Sequence, residues 1–334
     1  MINRRILIIG RAKNFNLEEY VFRAFLRGGN EVSFIGYSEL LGGRGVEVLR
    51  FWTTRSRILR SISYPFWLDG LNKAYYEAAR KYNPDLVLSI KGETLSPKTI
   101  DSIKDGLGIP VALWYPDDPR FFSSLVKYTA PHYDHVFTCS ANAIGLYKDL
   151  GVQSVHRLPF GCDPYIHNLD SNNLREKRKR TLFIGSFSIA RFRFIKNLIN
   201  KGVPIDVMGP NWNTLLISNS KGKFGLDYVR TIQDYSVVLN VHQNPGYGPN
   251  MRTFEVTGSG GLLLSDNAED IGSFFSIGTD ILVYQSTQEA EDSIKSVLSG
   301  EIDVEKMSKR AYEKCHEYHT YDVRIREILK LCRN

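Results

Sequence analysis

Short runs of β-branched and aliphatic residues recur along this chain, and segments whose apolar residues repeat with helical spacing separate them. Continuous apolar runs of this kind are typical of strands that are covered on both faces. Strands that alternate with helices predict parallel sheets with helices packed on either side. The sequence therefore predicts an α/β fold.

This alternation occurs in two blocks. In the first, the predicted strands are 5–9, 31–35, 46–51, 86–90, 111–115, 135–138 and 155–158, and the predicted helices are 17–26, 66–81, 97–104, 121–128 and 141–150. In the second, the predicted strands are 181–184, 205–208, 237–241, 262–265 and 281–284, and the late helices are 287–298, 304–318 and 321–332. The segment between the blocks contains Asp, Asn and a basic run from Arg175 to Arg180, which predicts a linker.

Chain length also favours two domains. The 334 residues exceed the size of roughly 250–300 residues at which a single core stops growing. We predict two doubly wound Rossmann-like domains, 1–160 and 181–318, with a linker at 161–180 and a C-terminal helix at 319–334. Ligands of open α/β sheets bind beyond the carboxyl ends of the strands, so a cleft between two facing domains is the predicted site.

Composition restricts the location and the partners. With 43% hydrophobic and 12% aromatic residues, the chain is expected to form a packed core. No apolar run reaches the roughly 18–20 residues that cross a bilayer, and the N-terminal run is too short for a signal peptide. We therefore expect a cytoplasmic protein and leave open a peripheral contact with the inner face of the membrane.

The four cysteines form no C-x-x-C pair, which predicts free thiols. The net charge of +7 suits an anionic ligand or surface.

The most informative segment is 240–266. A predicted strand ends near Val241, a loop rich in Gly and Pro follows, and Asn250 is a good N-cap for a short helix. Amides at a helix start favour a phosphate group. Arg252 and Glu255 are three residues apart and share one helix face, where they suit a diphosphate and the ribose hydroxyls of a nucleotide. The alternative interpretation is an ordinary intrahelical ion pair.

Residues 248–266 resemble the C-terminal signature of GT-B glycosyltransferases, specifically the CgeB-like spore-maturation family. The residues that carry the resemblance are Glu255, Gly258, Gly260 and 262–264, followed by Tyr284, His319, Thr320, Tyr321 and Arg324. The resemblance implies a GT-B fold and sugar transfer from a nucleotide-diphosphate-sugar without a required metal or cofactor. It also implies that 181–318 binds the donor, that 1–160 lies on the acceptor side, and that the last helix crosses back to the first domain.

Tyr247 marks a departure from the pattern. Many retaining relatives carry two glutamates separated by seven residues, and Tyr247 stands eight positions before Glu255 where the first would be. Contacts to the donor sugar and the stereochemical outcome are therefore not carried over. Tyr247 and Asn250 remain donor-side candidates, together with His242, which ends a predicted strand and has a structural role as its alternative.

The resemblance also points to the loop after the strand 181–184. It implies that Gly185 and Ser186 face the donor phosphates and that a basic residue on the following helix neutralises the leaving group. Arg191 is the first candidate and Lys196 the second. The alternative for Lys196, as for Arg193, is an ordinary solvated charge.

In the first block, acidic residues follow two predicted strands. Asp117 comes after the strand 111–115 and is a candidate for substrate binding or for general-base work on an acceptor hydroxyl, with a plain turn residue as the alternative. Asp118 precedes Pro119 and has the pattern of a helix N-cap. Glu93 ends another strand and joins both aspartates on the predicted acceptor side. Asp117 and Arg252 are the predicted catalytic residues.

Other classes of protein receive less support. The first strand is not followed by G-x-G-x-x-G, and Walker, H-E-x-x-H and G-x-S-x-G motifs do not occur. The basic run 175–180 contains no aromatic residues, so no nucleic-acid partner is expected. His132 and His135, like His316 and His319, have no third ligand nearby in sequence, so no metal site is predicted. A nucleotide-sugar epimerase and an inactive sugar-nucleotide-binding protein stay open, and the acceptor of a transferase could be a saccharide, a lipid-linked molecule or a protein.

Overall fold

The computed structural model describes residues 3–42, 68–119, 122, 126–169, 177–212, 219–220, 224–243 and 247–333. The predicted strand 46–51 lies outside these residues, as does most of 120–125. The chain forms two compact units. Unit 1 comprises Met1–Pro159 with Asp322–Asn334, and unit 2 comprises Phe160–Tyr321.

Unit 1 contains a six-stranded parallel sheet with the order β2-β1-β3-β4-β5-β6. Its strands are β1 (Arg5–Gly10), β2 (Glu31–Gly36), β3 (Leu86–Ile90), β4 (Val111–Tyr115), β5 (His135–Thr138) and β6 (Val155–Arg157). All residues of β3 and β4 are buried, as their continuous apolar sequences predict. The chain moves to one side of β1 to form β2 and to the other side to form β3, so the topological switch point lies between β1 and β3.

The helices of unit 1 are α1 (Leu17–Arg27), α2 (Asp69–Tyr82), α3 (Pro97–Asp101), α4 (Val126–Thr129) and α5 (Ala143–Asp149), and a π-helical stretch, Ser102–Gly106, follows α3. Local sequence sets where they start. The side chain of Asn16 accepts a hydrogen bond from the backbone of Glu19 at the start of α1, and Ser96 caps α3 in the same way through Thr99.

Unit 2 contains a second six-stranded parallel sheet with the order β12-β11-β10-β7-β8-β9. Its strands are β7 (Arg178–Ile184), β8 (Ile205–Met208), β9 (Asn219–Ser220), β10 (Tyr235–Asn240), β11 (Leu263–Asp266) and β12 (Leu282–Tyr284). The switch point lies between β7 and β10. The helices are α6 (Ile189–Asn200), α7 (Gly225–Gln233), α8 (Met251–Gly258), α9 (Ile271–Phe274), α10 (Thr287–Ser299) and α11 (Val304–Tyr318).

The last helix, α12 (Tyr321–Leu331), belongs to unit 1 from Asp322 onward. An ion pair, a hydrogen bond and an apolar contact attach this helix to unit 1. Asp322 forms an ion pair with Arg27 at 2.8 Å, and the buried Arg324 donates to the carbonyl oxygen of Pro159 at 3.0 Å. Ile325 lies against Gly28 at the end of α1.

Two parallel-sheet α/β units confirm the predicted fold class. The predicted linker differs in detail. Residues from Phe160 onward belong to unit 2, where Asp163 and His167 are fully buried, and β7 begins at Arg178, three residues earlier than predicted. Polar composition in this segment reflects buried hydrogen bonds, since the His167 ring accepts one from the backbone of Asp163.

All four cysteines are buried free thiols. Burial raises the pKa of the Cys139 and Cys332 thiols, and that of Cys332 rises to about 12. Thiols with such pKa values are not nucleophilic near neutral pH. Within the described ranges, no helix combines the length and apolarity that crossing a bilayer requires.

Candidate functional site

The turn after β7 is fixed by close backbone packing. Gly209 follows β8 with a φ of +136°, and a Cβ atom there would lie 2.2 Å from the carbonyl oxygen of Gly185. That same oxygen accepts a hydrogen bond from the indole Nε1 of the buried Trp212 at 2.7 Å. Gly185 is therefore held at the carboxyl edge of the sheet, beside the switch point.

Arg191 connects the ends of the two strands at the switch point. Its side chain is buried, with Nε donating to the carbonyl oxygen of Val241 at 2.9 Å and Nη1 donating to that of Ser186 at 3.0 Å. The guanidinium also lies 5.7 Å from the ring centre of Phe183. Arg191 thus joins the loops after β7 and β10, whereas Lys196 and Arg193 on the same helix are exposed. Neutralisation of a leaving group by Arg191 or Lys196 stays a prediction.

Asn250 caps α8, as predicted, because its side chain accepts a hydrogen bond from the backbone of Thr253. It also pairs with Asn240, the last residue of β10. The amide of each side chain donates to the other's oxygen, at 3.1 and 3.3 Å. The start of α8 is therefore tied directly to the switch-point strand.

His242 orients the loop that leads to α8. Its Nε2 accepts a hydrogen bond from the backbone N–H of Asn250 at 3.1 Å, so the ring proton lies on Nδ1, which donates to Asp266. The backbone of His242 donates to the same carboxylate at 2.9 Å. Since both ring nitrogens are engaged, the structural interpretation of His242 is favoured over donor contact. Tyr247 is half-buried in the same loop, next to residues outside the described part.

Arg252 places its guanidinium over the turn at Gly185. Nη1 donates to the side-chain oxygen of Asn240 at 3.3 Å, and Nη2 lies 3.1 Å from where a Cβ atom of Gly185 would be. Its Nε is buried and has no hydrogen-bond partner among the described residues. A buried unsatisfied donor costs about 1–3 kcal/mol, more when charged, so the site is suited to an anionic acceptor of hydrogen bonds.

Glu255 does not pair with Arg252. Across the residues that the structure describes, no ion pair joins the two side chains, and Oε2 of Glu255 instead accepts a hydrogen bond from the hydroxyl of Tyr228 at 3.0 Å. Tyr228 lies on α7, a helix that the sequence did not predict. The interpretation of R-x-x-E as an ordinary ion pair is therefore not favoured.

At the switch point of unit 1, three carboxyl side chains surround Lys91. Its Nζ lies 2.8 Å from Oδ2 of Asp117, and both Glu18 and Glu93 interact with its charge. Burial alone would lower the pKa of Lys91, but Asp117 and Glu93 raise it above its usual value. Burial raises the pKa of Glu93 and of Glu18, and Lys91 opposes both shifts. The hydroxyl of Tyr37 donates to Glu93 at 3.4 Å.

The structure places Asp118 inside unit 1. Its side chain is buried and accepts a hydrogen bond from the hydroxyl of Tyr147 on α5 at 2.8 Å. Residues 116–119 form a turn, and the predicted helix 121–128 lies partly outside the described residues, so the helix cap at Asp118 stays a prediction. Burial raises the pKa of Asp118 to about 7. Asp118 therefore supports the loop that carries Asp117 from within the core.

Sequence reasoning missed Glu18, Tyr37, Asn240 and Tyr228. Asn240 ends the observed strand β10, and the rule that polar groups gather at the carboxyl edge could have singled it out. Tyr37 directly follows β2 and carries the same signal. Glu18 lies in the first turn of α1, where an acidic residue is common and carries no such signal. Tyr228 lies inside an amphipathic helix, and no local pattern distinguishes it from a core aromatic residue.

Comparison with known families and structures places these sites in context. Residues 190–330 match a family model described as glycosyl transferase-like. No curated protein matches the sequence. Sucrose-phosphate synthase from Thermosynechococcus elongatus is similar in structure, with a TM-score of 0.69 at 9% identity over 98% of each chain.

Two further structures are similar over nearly the whole length. HepE from Anabaena, solved in complex with UDP and glucose, has a TM-score of 0.66 at 11% identity over 98% of this chain and 100% of its own. A UDP-N-acetylglucosamine 2-epimerase described for Listeria monocytogenes has a TM-score of 0.55 at 11% identity over 98% and 95%. The chain therefore has the GT-B fold of two parallel-sheet α/β domains, and its C-terminal part is similar to the glycosyl transferase-like family.

Proposed function

We propose that this protein is a glycosyltransferase of CgeB-like type, which moves a sugar from a nucleotide-diphosphate-sugar to an acceptor hydroxyl. The observation that carries the proposal is the buried Nε of Arg252, which lacks a partner among the described residues and lies beside the glycine turn at the switch point of unit 2. The family model matches residues 190–330, which include Arg252 and most of this unit. HepE, of similar fold, binds UDP.

The donor diphosphate would bind between the turn at Gly185 and the start of α8. Arg252 supplies the cation, and the first amides of α8, whose cap Asn250 pairs with Asn240 at the end of β10, would add hydrogen-bond donors. As the bond to the sugar breaks, negative charge grows on the departing diphosphate, and a fixed guanidinium stabilises that charge without reorganising. We propose that this stabilisation needs no metal ion.

The nucleoside would lie near Glu255. A carboxylate can accept hydrogen bonds from two adjacent ribose hydroxyls, and Tyr228 holds Oε2 of Glu255 in one position. Arg252 and Glu255 then contact opposite ends of one nucleoside diphosphate. Their separation by three residues on α8 fits this division of roles, because it places them on one helix face without an ion pair.

The acceptor would react at the switch point of unit 1, where Asp117 is the proposed base. Its carboxylate would take the proton of the acceptor hydroxyl as that oxygen bonds to the sugar carbon and the diphosphate leaves with the electron pair of the broken bond. Lys91, 2.8 Å from Asp117, fixes the carboxylate at the end of β4.

An epimerase is the second candidate, because an epimerase shares the fold. It would use the donor site without an acceptor. The transferase is preferred since the matched family model describes transferases and since sucrose-phosphate synthase has the higher TM-score of 0.69, against 0.55. Product analysis with and without added acceptor separates the two activities.

The experiment that tests the proposal measures thermal unfolding and calorimetric binding with UDP, GDP, dTDP and ADP. Saturation at a hundred times the dissociation constant should stabilise the protein by about 2.7 kcal/mol. Arg252→Gln should weaken binding of the preferred diphosphate about tenfold or more, because a charge-assisted hydrogen bond is lost. Arg193→Gln is the matched control, since Arg193 is exposed in the same unit. Absence of binding by all four diphosphates would overturn the proposal.

A further inference from the structure

A cavity lies in unit 1, between α2 and α3. Its volume is about 510 Å³, within the range of roughly 300–1,000 Å³ that holds small ligands. The described residues that line it are all polar or small apart from one aromatic ring, and they include Asp69, Lys73, Tyr76, Ser96, Lys98 and Thr99. None of them belongs to the site around Lys91.

The walls of this cavity are rigid. Asn72, which is buried, donates to the carbonyl oxygens of Leu68 and Thr94 at 2.9 and 3.1 Å and accepts from the backbone of Ser96 at 2.8 Å. The hydroxyls of Tyr75 and Thr94 are 2.8 Å apart, which adds a further link between α2 and the loop before α3. The cavity is therefore preformed, and a ligand need not order it.

The cavity is lined by more positive than negative charges. Lys73 and Lys98 contribute two ammonium groups against the single carboxylate of Asp69. Among the residues with described side chains, neither lysine is in an ion pair. Ser96 and Thr99, whose hydroxyls lie 2.8 Å apart, also line the cavity, and the ring of Tyr76 offers an apolar surface with a polar tip. Ammonium groups, hydroxyls and an aromatic ring together suit a saccharide that carries an anionic group.

The cavity adjoins the acceptor side of unit 1. Glu93, in the cluster around Lys91, precedes Ser96 by three residues, and three residues of chain span at most about 11 Å. A molecule whose reacting hydroxyl lies near Asp117 can therefore extend along the 91–96 loop into the cavity.

We propose that this cavity binds an anionic part of the acceptor, a saccharide unit that carries a phosphate or carboxylate group next to the unit that is glycosylated. This inference rests on the proposed function, which it deepens by naming the acceptor class. Lys73 and Lys98 hold the anion, and Asp69 accepts hydrogen bonds from sugar hydroxyls.

The test measures binding of glucose 6-phosphate, glucuronic acid, glucose and inorganic phosphate by calorimetry and ligand-observed NMR. The wild type should bind one of the two sugar anions at least tenfold more tightly than glucose and more tightly than inorganic phosphate. The two sugar anions distinguish phosphate from carboxylate as the recognised group. The double variant K73Q/K98Q should lose this preference, because each ammonium contributes about tenfold.

Lys81→Gln is the matched control, since Lys81 is exposed on the last turn of the same helix α2. It should leave binding unchanged. Equal binding of glucose and both sugar anions by the wild type, no binding of any of them, or equal loss in K81Q would overturn the inference. Binding of UDP, GDP, dTDP and ADP is followed in parallel. If one of these diphosphates binds and the sugar anions fail, only this inference falls, whereas failure of all four diphosphates removes the proposed function.

Discussion

Gly209→Ala is the substitution whose consequence is most fully determined by the structure. The φ of +136° at this position is one that residues with a side chain rarely adopt. A Cβ atom would lie 2.2 Å from the carbonyl oxygen and 2.7 Å from the carbonyl carbon of Gly185. Both are backbone atoms, so no side chain can rotate away, and the turn after β7 must move instead.

Two costs add. Holding alanine in an unfavourable backbone conformation costs about 1–3 kcal/mol, and the steric overlap adds about 1–3 kcal/mol. Gly202→Ala distinguishes the conformational cost from the steric cost, because Gly202 has a φ of +83° and no atom lies within 4 Å of its Cβ position. It should carry only the conformational cost. We therefore expect Gly209→Ala to lower the free energy of unfolding by about 2–6 kcal/mol, and Gly202→Ala by about 1–3 kcal/mol.

Urea unfolding followed by circular dichroism measures the free energies of unfolding of both variants, and calorimetry measures their affinity for UDP. Because the Gly185 turn must shift, Gly209→Ala should also weaken UDP binding in the folded protein, whereas Gly202→Ala should not. Equal stability of the two variants, or unchanged UDP affinity in a folded Gly209→Ala protein, would refute the reasoning about this turn.

Tyr228→Phe removes the hydrogen bond that holds Glu255 in the position that suits the ribose hydroxyls. The variant should therefore bind UDP several-fold more weakly, whereas its binding of 2′-deoxy-UDP should be less affected, and calorimetry with both ligands tests this. Folding raises the pKa of Asp118 from its usual value near 3.8 to about 7, so the free energy of unfolding should fall as pH rises from about 4 to about 7. Urea unfolding at several pH values measures this dependence, which should be weaker in Asp118→Asn. Gly258→Ala should lower the melting temperature, because its Cβ would lie 2.7 Å from that of Cys162.

Much of the fold follows from local sequence. Val111–Tyr115 has the same bounds in the prediction and in the structure, because a short run of five apolar residues is typical of a strand covered on both faces. The cap at Asn250 and the start of α8 are confirmed for a similar reason, since the cap bonds to a backbone group three residues away. By contrast β9 contains only two residues, too few to form any pattern.

The geometry of the sites could not be predicted in this way. Asp266 bonds to His242 from 24 residues away, and Trp212 bonds to Gly185 from 27 residues away. The sequence shows that such residues end or follow strands, but only the strand order brings particular ends together. For this reason the sequence could not show that Arg191 bonds to carbonyl groups of two separate loops, and its predicted contact with a ligand stays a prediction.

The charge at the switch point of unit 1 is balanced and the charge at that of unit 2 is not, and this difference determines what each can bind. At unit 2, Arg252 is a cation whose buried Nε has no acceptor among the described residues, so an anion would supply the missing acceptor. At unit 1, Lys91 is already compensated by Asp117 and by the carboxyl groups of Glu93 and Glu18, so an added anion would be repelled. A neutral hydroxyl, which can donate to Asp117, suits that centre. An anionic acceptor must then keep its charge apart from its reacting hydroxyl, and the unpaired lysines of the neighbouring cavity provide a place for it.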